Sequence, residues 1–236
     1  DVLKGETVKG IKGSTLRNIL VVLQYFISIC IIIGTIVVYS QLSFMIQKDL
    51  GFKKERALII DRVWPLDDQL QTFIQEIEKL PGVVRASNST MYPGITNNNN
   101  GYQIKGRDRA NSYLILTNYA DHDFLDVYDI ELLEGRDFSK DFPSDSNAIL
   151  INKTAVKNLN LEKPLESVII EPGYEGTEND LRIIGVFDDF HHSSLKHEIS
   201  PYMIRLKPED LSWGGFISVK LDENIHDTPP KIKNRI

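Results

Sequence analysis

The densest group of chemically capable side chains is Asp188-Asp189-Phe190-His191-His192, followed by Ser193, Ser194 and His197. Carboxylates beside imidazoles can hold a zinc ion or run acid–base chemistry. The spacing matches no His-Glu-x-x-His helix, and on a strand the adjacent His191 and His192 point to opposite faces. A Ser–His–Asp triad needs convergence in space, which the nearness of Ser193 and Ser194 in sequence does not supply. The plainer reading is a strand end whose Phe190 packs inward while its polar neighbours stay solvated. The chain has no G-x-x-x-x-G-K-S/T loop to hold nucleotide phosphates and no G-x-S-x-G nucleophile elbow. Gly82, Gly135 and Gly185 read as turn and close-packing positions rather than ligand contacts. No residue is therefore assigned as catalytic, cofactor-binding or metal-ligating, and no cofactor is expected.

The element that must position everything else is Ile19–Tyr39, an uncharged run interrupted only by Gln24, Ser28 and Thr35 among its polar residues. As a helix it spans ~30 Å, the thickness of a bilayer's hydrocarbon core, and it is apolar on all sides. It is too long for the h-region of a cleaved signal, and the residues that follow (SQLSFMIQ) offer no small-x-small cleavage site. An uncleaved anchor, in contact with membrane lipid, is expected. Lys4, Lys9, Lys12 and Arg17 precede the span and Lys48, Lys53, Lys54 and Arg56 follow it, so the positive-inside count is nearly balanced. Arg17 lies nearer its end of the span than Lys48, which favours an inside N-terminus and an outside domain. Residues 1–18 read as a cytoplasmic lead-in, and 40–52 as a helical stalk running through Asp49 and stopped by Gly51.

The net charge of −6 over 236 residues argues against nucleic acid as a partner, because phosphate binding needs a basic face. The single cysteine, Cys30, lies inside the apolar run, so the rest of the chain can build neither a disulfide framework nor a thiolate zinc site. Hydrophobic spacing then predicts a strand at Ala57–Asp61. A helix follows, carrying Leu70, Phe73, Ile74, Ile77 and Leu80 on one face, capped by Asp67 and ended by Pro81-Gly82. A second strand is expected over Val83–Met91. This is a β-α-β unit, right-handed if its strands are parallel neighbours. Further strands are expected at Tyr102–Lys105, Tyr113–Tyr119, Asn147–Asn152, Val168–Glu171, Leu181–Val186, Pro201–Leu206 and Phe216–Leu221. Asp121–Val127 reads as a short helix capped by Asp121, Lys153–Leu159 as a helical turn or two, and both Asn97–Gly101 and Gly135-Arg136-Asp137 as loops. The fold class is α+β.

Several segments in order resemble one family. They are Leu16-Arg17-Asn18-Ile19-Leu20 through Ser28, Lys48-Asp49-Leu50-Gly51-Phe52, Leu80-Pro81-Gly82-Val83, and Leu133-Glu134-Gly135-Arg136-Asp137-Phe138. Ala148 through Val156, Ile184 through His191, Ser194-Leu195 and Ile199-Ser200-Pro201 continue the series. Together they resemble the MacB/FtsX-type ABC transporter permeases, especially those of Bacteroidota, over nearly the whole chain. The resemblance implies a transmembrane helix and stalk, then a two-lobed periplasmic core domain (residues 53–236) attached to the bacterial inner membrane. Its porter-like lobe would comprise 57–91 and 200–236, with a mostly-β lobe of 92–199 inserted. It implies a non-catalytic permease subunit that works with a separate or fused cytoplasmic ABC ATPase and a second permease copy or half, and with a periplasmic adaptor or outer-membrane component. Such permeases relay ATP-driven motion for the export or extraction of a peptide, drug or lipoprotein. The His191-His192 region would then be structural. The helix expected to close the first lobe has barely begun at Asp227–Ile236, and the helices that follow in a complete permease are not in the sequence, so the chain reads as a fragment. Two alternatives from other classes stand beside this: a single-span receptor with an extracytoplasmic ligand-binding domain, and a membrane-anchored hydrolase using Asp188–His197.

Overall fold

The computed structural model describes residues 13–53, 56–95, 99–173, 177–208 and 215–223, and divides into two units, Asp1–Asp49 and Leu50–Ile236. The first unit is helix α1, Gly13–Gln47. Its segment Thr15–Ile46 is long and apolar enough to cross a membrane by length and composition, and none of its most apolar stretch is buried in protein. The Thr35 hydroxyl donates to the Ile31 carbonyl one turn back, which satisfies a polar group inside an apolar helix. At ~1.5 Å per residue the helix is ~52 Å long and overruns the bilayer core. It stops at Gln47, earlier than a stalk reaching Asp49.

The second unit is mixed α+β, built on one ten-stranded sheet among the described residues. Strands β1 (Ala57–Ile60), β2 (Val83–Ser89) and β10 (Phe216–Leu221) form its first part, with α2 (Leu70–Glu78) between β1 and β2 in sequence. The β-α-β expectation needs a correction here. β1 and β2 run parallel but are not neighbours, because β10 returns from the far end of the chain and pairs antiparallel with both. A 3-10 turn at Trp64–Gln69 leads straight into α2, so the N-cap position is Gln69 and not Asp67. Ile74 and Ile77 of α2 pack on Ile60, Ala86, Ile217 and Val219 in a self-contained core.

The remaining strands are β3 (Asn99–Ile104), β4 (Tyr113–Ala120), β5 (Leu132–Gly135), β6 (Ala148–Asn152), β7 (Val168–Pro172), β8 (Glu178–Phe187) and β9 (Tyr202–Leu206). Six of them close on themselves in the order β4-β3-β7-β8-β6-β9, and β9 returns to pair parallel with β4. Side chains alternate across a strand. All six strands send residues to one shared core, with Tyr102, Ile115, Ile151, Ile169, Ile183 and Met203 among them, so that core fills the ring. The opposite faces carry Leu150, Phe187, Tyr202 and Ile204, which pack on α3 (Phe124–Tyr128) in a second core. β3 begins at Asn99, so the later part of the asparagine run is strand rather than loop; Asn97 lies outside the described residues. Leu132–Gly135 is likewise a strand, pairing with the second half of β8. Asp227–Ile236 also falls outside the described residues.

β2 meets β4 through one ladder pair, Ser89↔Ala120. Asp121 reinforces this junction instead of capping α3, whose N-cap is Asp123 without a side-chain cap bond. Its Oδ1 accepts from Ser87 Oγ (2.6 Å) and Asp123 N (3.1 Å), and its Oδ2 from Asn88 N (2.6 Å). Burial outweighs these bonds and pushes the Asp121 carboxyl up to about 6. A folded-state pKa above the unfolded value means that ionisation opposes folding. The stabilising effect is complete below the unfolded pKa and disappears as pH rises through 6. Acidifying from pH 7.5 to 5 should therefore stabilise the wild type relative to Asp121→Asn by about 1.4 kcal/mol. Urea unfolding of both proteins at the two pH values checks this. The same difference at both pH values would contradict it. Asp137, also pushed up to about 6 chiefly by burial, and His192, pushed down by burial, act alike in both proteins and cancel.

Candidate functional site

Three residues after α1 ends, the chain enters the second unit at Leu50-Gly51-Phe52 and seats against the segment singled out for its carboxylates and imidazoles. The His191 N–H donates to the Leu50 carbonyl at 2.8 Å. Gly51 has φ +74°, and a Cβ there would run into the Asp189 carbonyl oxygen and lie 2.9 Å from Phe190 Cα. Only glycine allows this left-handed, backbone-on-backbone approach without strain. Phe52 then places its ring edge-on to Tyr128 (5.9 Å between centroids) and to Phe190 (6.3 Å). Such pairs contribute about 0.5–1.5 kcal/mol each beyond the area they bury. Lys53 N donates to the Tyr128 carbonyl at 3.3 Å, extending the seat by one residue.

Asn152 ties the other side of the seat to the ring. It ends β6 and caps α4 (Lys153–Asn158), its Oδ1 accepting from Ala155 N at 2.9 Å and from Tyr202 N of β9 at 2.8 Å. Its Nδ2 donates to Asp189 Oδ1 (2.8 Å) and to the Ser200 carbonyl (3.1 Å). All four of its hydrogen-bonding positions are filled. Asp189 also accepts from Thr154 N (2.9 Å) and Thr154 Oγ1 (2.8 Å). One amide and one carboxylate thus hold together β6, α4, β9 and the segment under Gly51. Asn152→Ala leaves the buried Tyr202 and Ala155 N–H groups without acceptors and should cost about 3 kcal/mol. Thermal unfolding measures it, and a loss below about 0.5 kcal/mol would contradict the role assigned to Asn152.

Phe190 is buried as the sequence suggests, stacking near Tyr202 (5.2 Å) and Phe187 (6.1 Å). Its neighbours differ from expectation. His192 is buried rather than solvated, 2 % exposed, because strand β8 ends at Phe187 and the chain turns His192 inward onto Tyr202. Its Nε2 accepts from Ser200 N at 3.2 Å, its carbonyl accepts from Gly94 N at 3.0 Å, and burial lowers its pKa. His197 and Ser194 are exposed and Ser193 half-buried. The carboxylate of Asp189 goes to Asn152 and Thr154, not to an imidazole. The region is assembled as a structural joint, and among the described residues no three His, Cys, Asp or Glu side chains converge as metal ligands.

Gly135 and Gly185 form a cross-strand pair beside this joint. Gly135 has φ +80°, and a Cβ on Gly185 would come 2.6 Å from the Arg136 carbonyl oxygen. Arg136 leaves this turn to make a bidentate pair with Asp145, both bonds 2.7 Å, while the Asp145 side chain is 2 % exposed. Its guanidinium also lies 4.4 Å over the Phe142 ring. Neither the Arg136–Asp145 clip nor the seating of Leu50–Phe52 on Phe190 follows from spacing. The only sequence signal was that these segments belonged to the family-like series.

A family model described as the MacB-like periplasmic core domain matches residues 19–225. Among solved structures, the chain is similar to a domain assigned to a permease protein from Porphyromonas gingivalis, at 21% identity and a TM-score of 0.50, covering 70% of this chain and 71% of that one. It is also similar to the periplasmic region of MacB from Actinobacillus actinomycetemcomitans, at 13% identity and a TM-score of 0.52, covering 81% and 84%. At these identities the likeness establishes the fold. No curated protein matches.

Proposed function

The chain belongs to the MacB-like periplasmic core domain family, and from that premise we propose that it is a permease subunit of a MacB/FtsX-type ABC transporter. In this reading α1 anchors it in the bacterial inner membrane and the sheet-rich unit stands in the periplasm. ATP is bound and hydrolysed on a cytoplasmic partner, and this chain contributes no covalent step. A second permease copy or half and a periplasmic adaptor or outer-membrane component complete the assembly that exports or extracts the substrate.

The observation that carries the reading is the seat at Leu50-Gly51-Phe52. A displacement of the helix reaches the domain first at these three residues. Here the backbone contact at Gly51, the His191–Leu50 hydrogen bond and the Phe52 ring contacts pass it to Phe190. The Asn152–Asp189 knot then distributes it to β6, β9 and α4. Close-packed groups transmit displacement because interiors compress little. The direct test is co-expression with candidate ABC ATPases from the same genome. The chain and one such ATPase should co-purify from detergent and hydrolyse ATP together. Failure to associate with any such ATPase would count against the permease reading.

The single-span receptor alternative draws support from one feature, a ligand-sized cleft in the domain. Nucleotide-dependent change at the seat separates the two readings, because a receptor of that kind has no ATPase to respond to.

A further inference from the structure

A cleft of about 670 Å³ opens over the β2–β4 junction. One wall is α2, the floor is Asn88 and Asp121, and the opposite wall is the 139–146 segment. Its size is that of a small-molecule or side-chain site. The acids and bases around it differ in how fully they are satisfied. Asp121 accepts three hydrogen bonds from the protein, Glu78 Oε1 accepts from Ala86 N at 3.1 Å, and Asp123 pairs with Arg85 at 3.6 Å. Lys207, half-buried, gives one of its three N–H bonds to Asn88 Oδ1 at 2.6 Å and pairs with no carboxylate among the described residues. Lys140 is in no ion pair among the described residues and stands close enough to His122 for its charge to depress the imidazole, second to burial. The open capacity of the cleft is thus donor capacity, set beside the apolar surfaces of Ile74, Phe142 and Leu206.

We propose that this cleft binds a carboxylate carried on an apolar body, with Lys207 and Lys140 as its cationic contacts. The carboxylate could come from a free organic acid or from an acidic side chain of a polypeptide; the chemistry is shared. A half-buried ammonium gains most from such a partner because burial penalises its unpaired charge, and burial indeed lowers the Lys207 pKa. Asp121 carries a like charge in the cleft lining and burial pushes its carboxyl up to about 6, so binding should tighten on acidification. Glu78, Asp123 and His122 face the same space, His122 held below its usual pKa by burial and the Lys140 charge. Protonation of His122 adds positive charge to the cleft, so it acts in the same direction as protonation of Asp121. The proposal does not rest on the permease reading, since it needs neither ATP nor a second subunit.

The experiment is calorimetric titration of the full chain in detergent with hexanoate, with its neutral isostere hexanamide, and with the capped peptide acetyl-Ala-Leu-Glu-Leu-Ala-amide, at pH 5.5 and 7.5. Hexanoate should bind about fivefold or more tightly than hexanamide at pH 5.5, and more weakly at pH 7.5. Lys140→Glu, at an exposed position, should weaken hexanoate about tenfold. Lys207→Met should do the same, and Asp121→Asn should reduce the pH dependence. Peptide binding tighter than hexanoate, with competition between them, supports the proposal with a polypeptide as the source. Hexanoate binding without peptide binding supports it with a free acid as the source. Equal affinity for hexanoate and hexanamide, wild-type affinity in both lysine variants, or no binding of any probe overturns it.

Discussion

Replacing Gly51 by valine is expected to uncouple the assembly while leaving its ATPase running. Valine cannot adopt φ +74° without strain, and its Cβ would lie 2.9 Å from Phe190 Cα and closer still to the Asp189 carbonyl. Strain of this kind costs about 1–3 kcal/mol, and a bulky side chain adds displacement of two backbones. The chain relieves it by lifting Leu50–Phe52 off its seat, which breaks the His191–Leu50 hydrogen bond and moves Phe52 away from Tyr128 and Phe190. The ring and its core are built from residues elsewhere, so the domain should still fold. The expected result in a reconstituted complex is ATP turnover within about twofold of wild type with transport or extraction reduced by tenfold or more. Gly51→Ala should fall between the two. Parallel loss of ATPase and transport would instead place the defect in assembly, and normal transport in Gly51→Val would remove the seat from the relay.

Arg136→Ala is expected to be strongly destabilising. Asp145 is almost wholly buried, and Arg136 gives it two bonds of 2.7 Å that hold its carboxyl below the usual carboxylate range. Removing one partner of a buried pair leaves an uncompensated charge and costs about 3–5 kcal/mol. Ser139 N remains as a donor at 3.0 Å, which places the loss toward the lower end. The Arg136→Ala/Asp145→Ala double variant should recover much of it, since no buried charge remains. Arg136→Lys keeps the charge but loses the second bond and the contact over Phe142, and should lose about half as much. The sign with pH follows from the depressed Asp145 pKa. The pair's contribution is present above the ordinary carboxylate pKa and is lost as pH falls through the folded-state value. Denaturant unfolding of the four proteins checks the whole set. A single variant as stable as wild type would contradict the assigned role.

The local elements could be read because their causes are local. Ala148–Asn152 and Leu181–Val186 are apolar runs bounded by polar turns, and α2 carries its Ile74/Ile77 stripe at helical spacing. The closed ring could not be read, because its closure is a β9–β4 pairing between segments far apart in sequence, with no periodicity to mark it. The insertion of β10 between β1 and β2 was hidden for the same reason. Composition misled at Asn99, where backbone pairing with β4 overrides the turn preference of asparagine. No strand is legible at Leu132–Gly135, and Gly135-Arg136-Asp137 reads as a turn, because the strand is short and mostly exposed and its glycine serves the backbone approach to Gly185. His192 read as a solvated neighbour, since nothing local shows that the chain bends after Phe187. The Asp189–Asn152 knot joins two segments far apart in sequence, so no local spacing marks it.

In the proposed relay, motion of the membrane helix enters the domain through Leu50–Phe52 and Phe190–His191. Hydrogen exchange of the backbone amides tests it most directly, because the His191 N–H is itself a bond of the seat. The measurement is exchange in segments 187–200 and 50–53 of the reconstituted permease–ATPase complex, without nucleotide and with ATP and vanadate. Nucleotide should change the protection of both segments together, and Gly51→Val should abolish the change in 187–200. Protection in both segments that is the same in every nucleotide state, in a complex that transports, would contradict it.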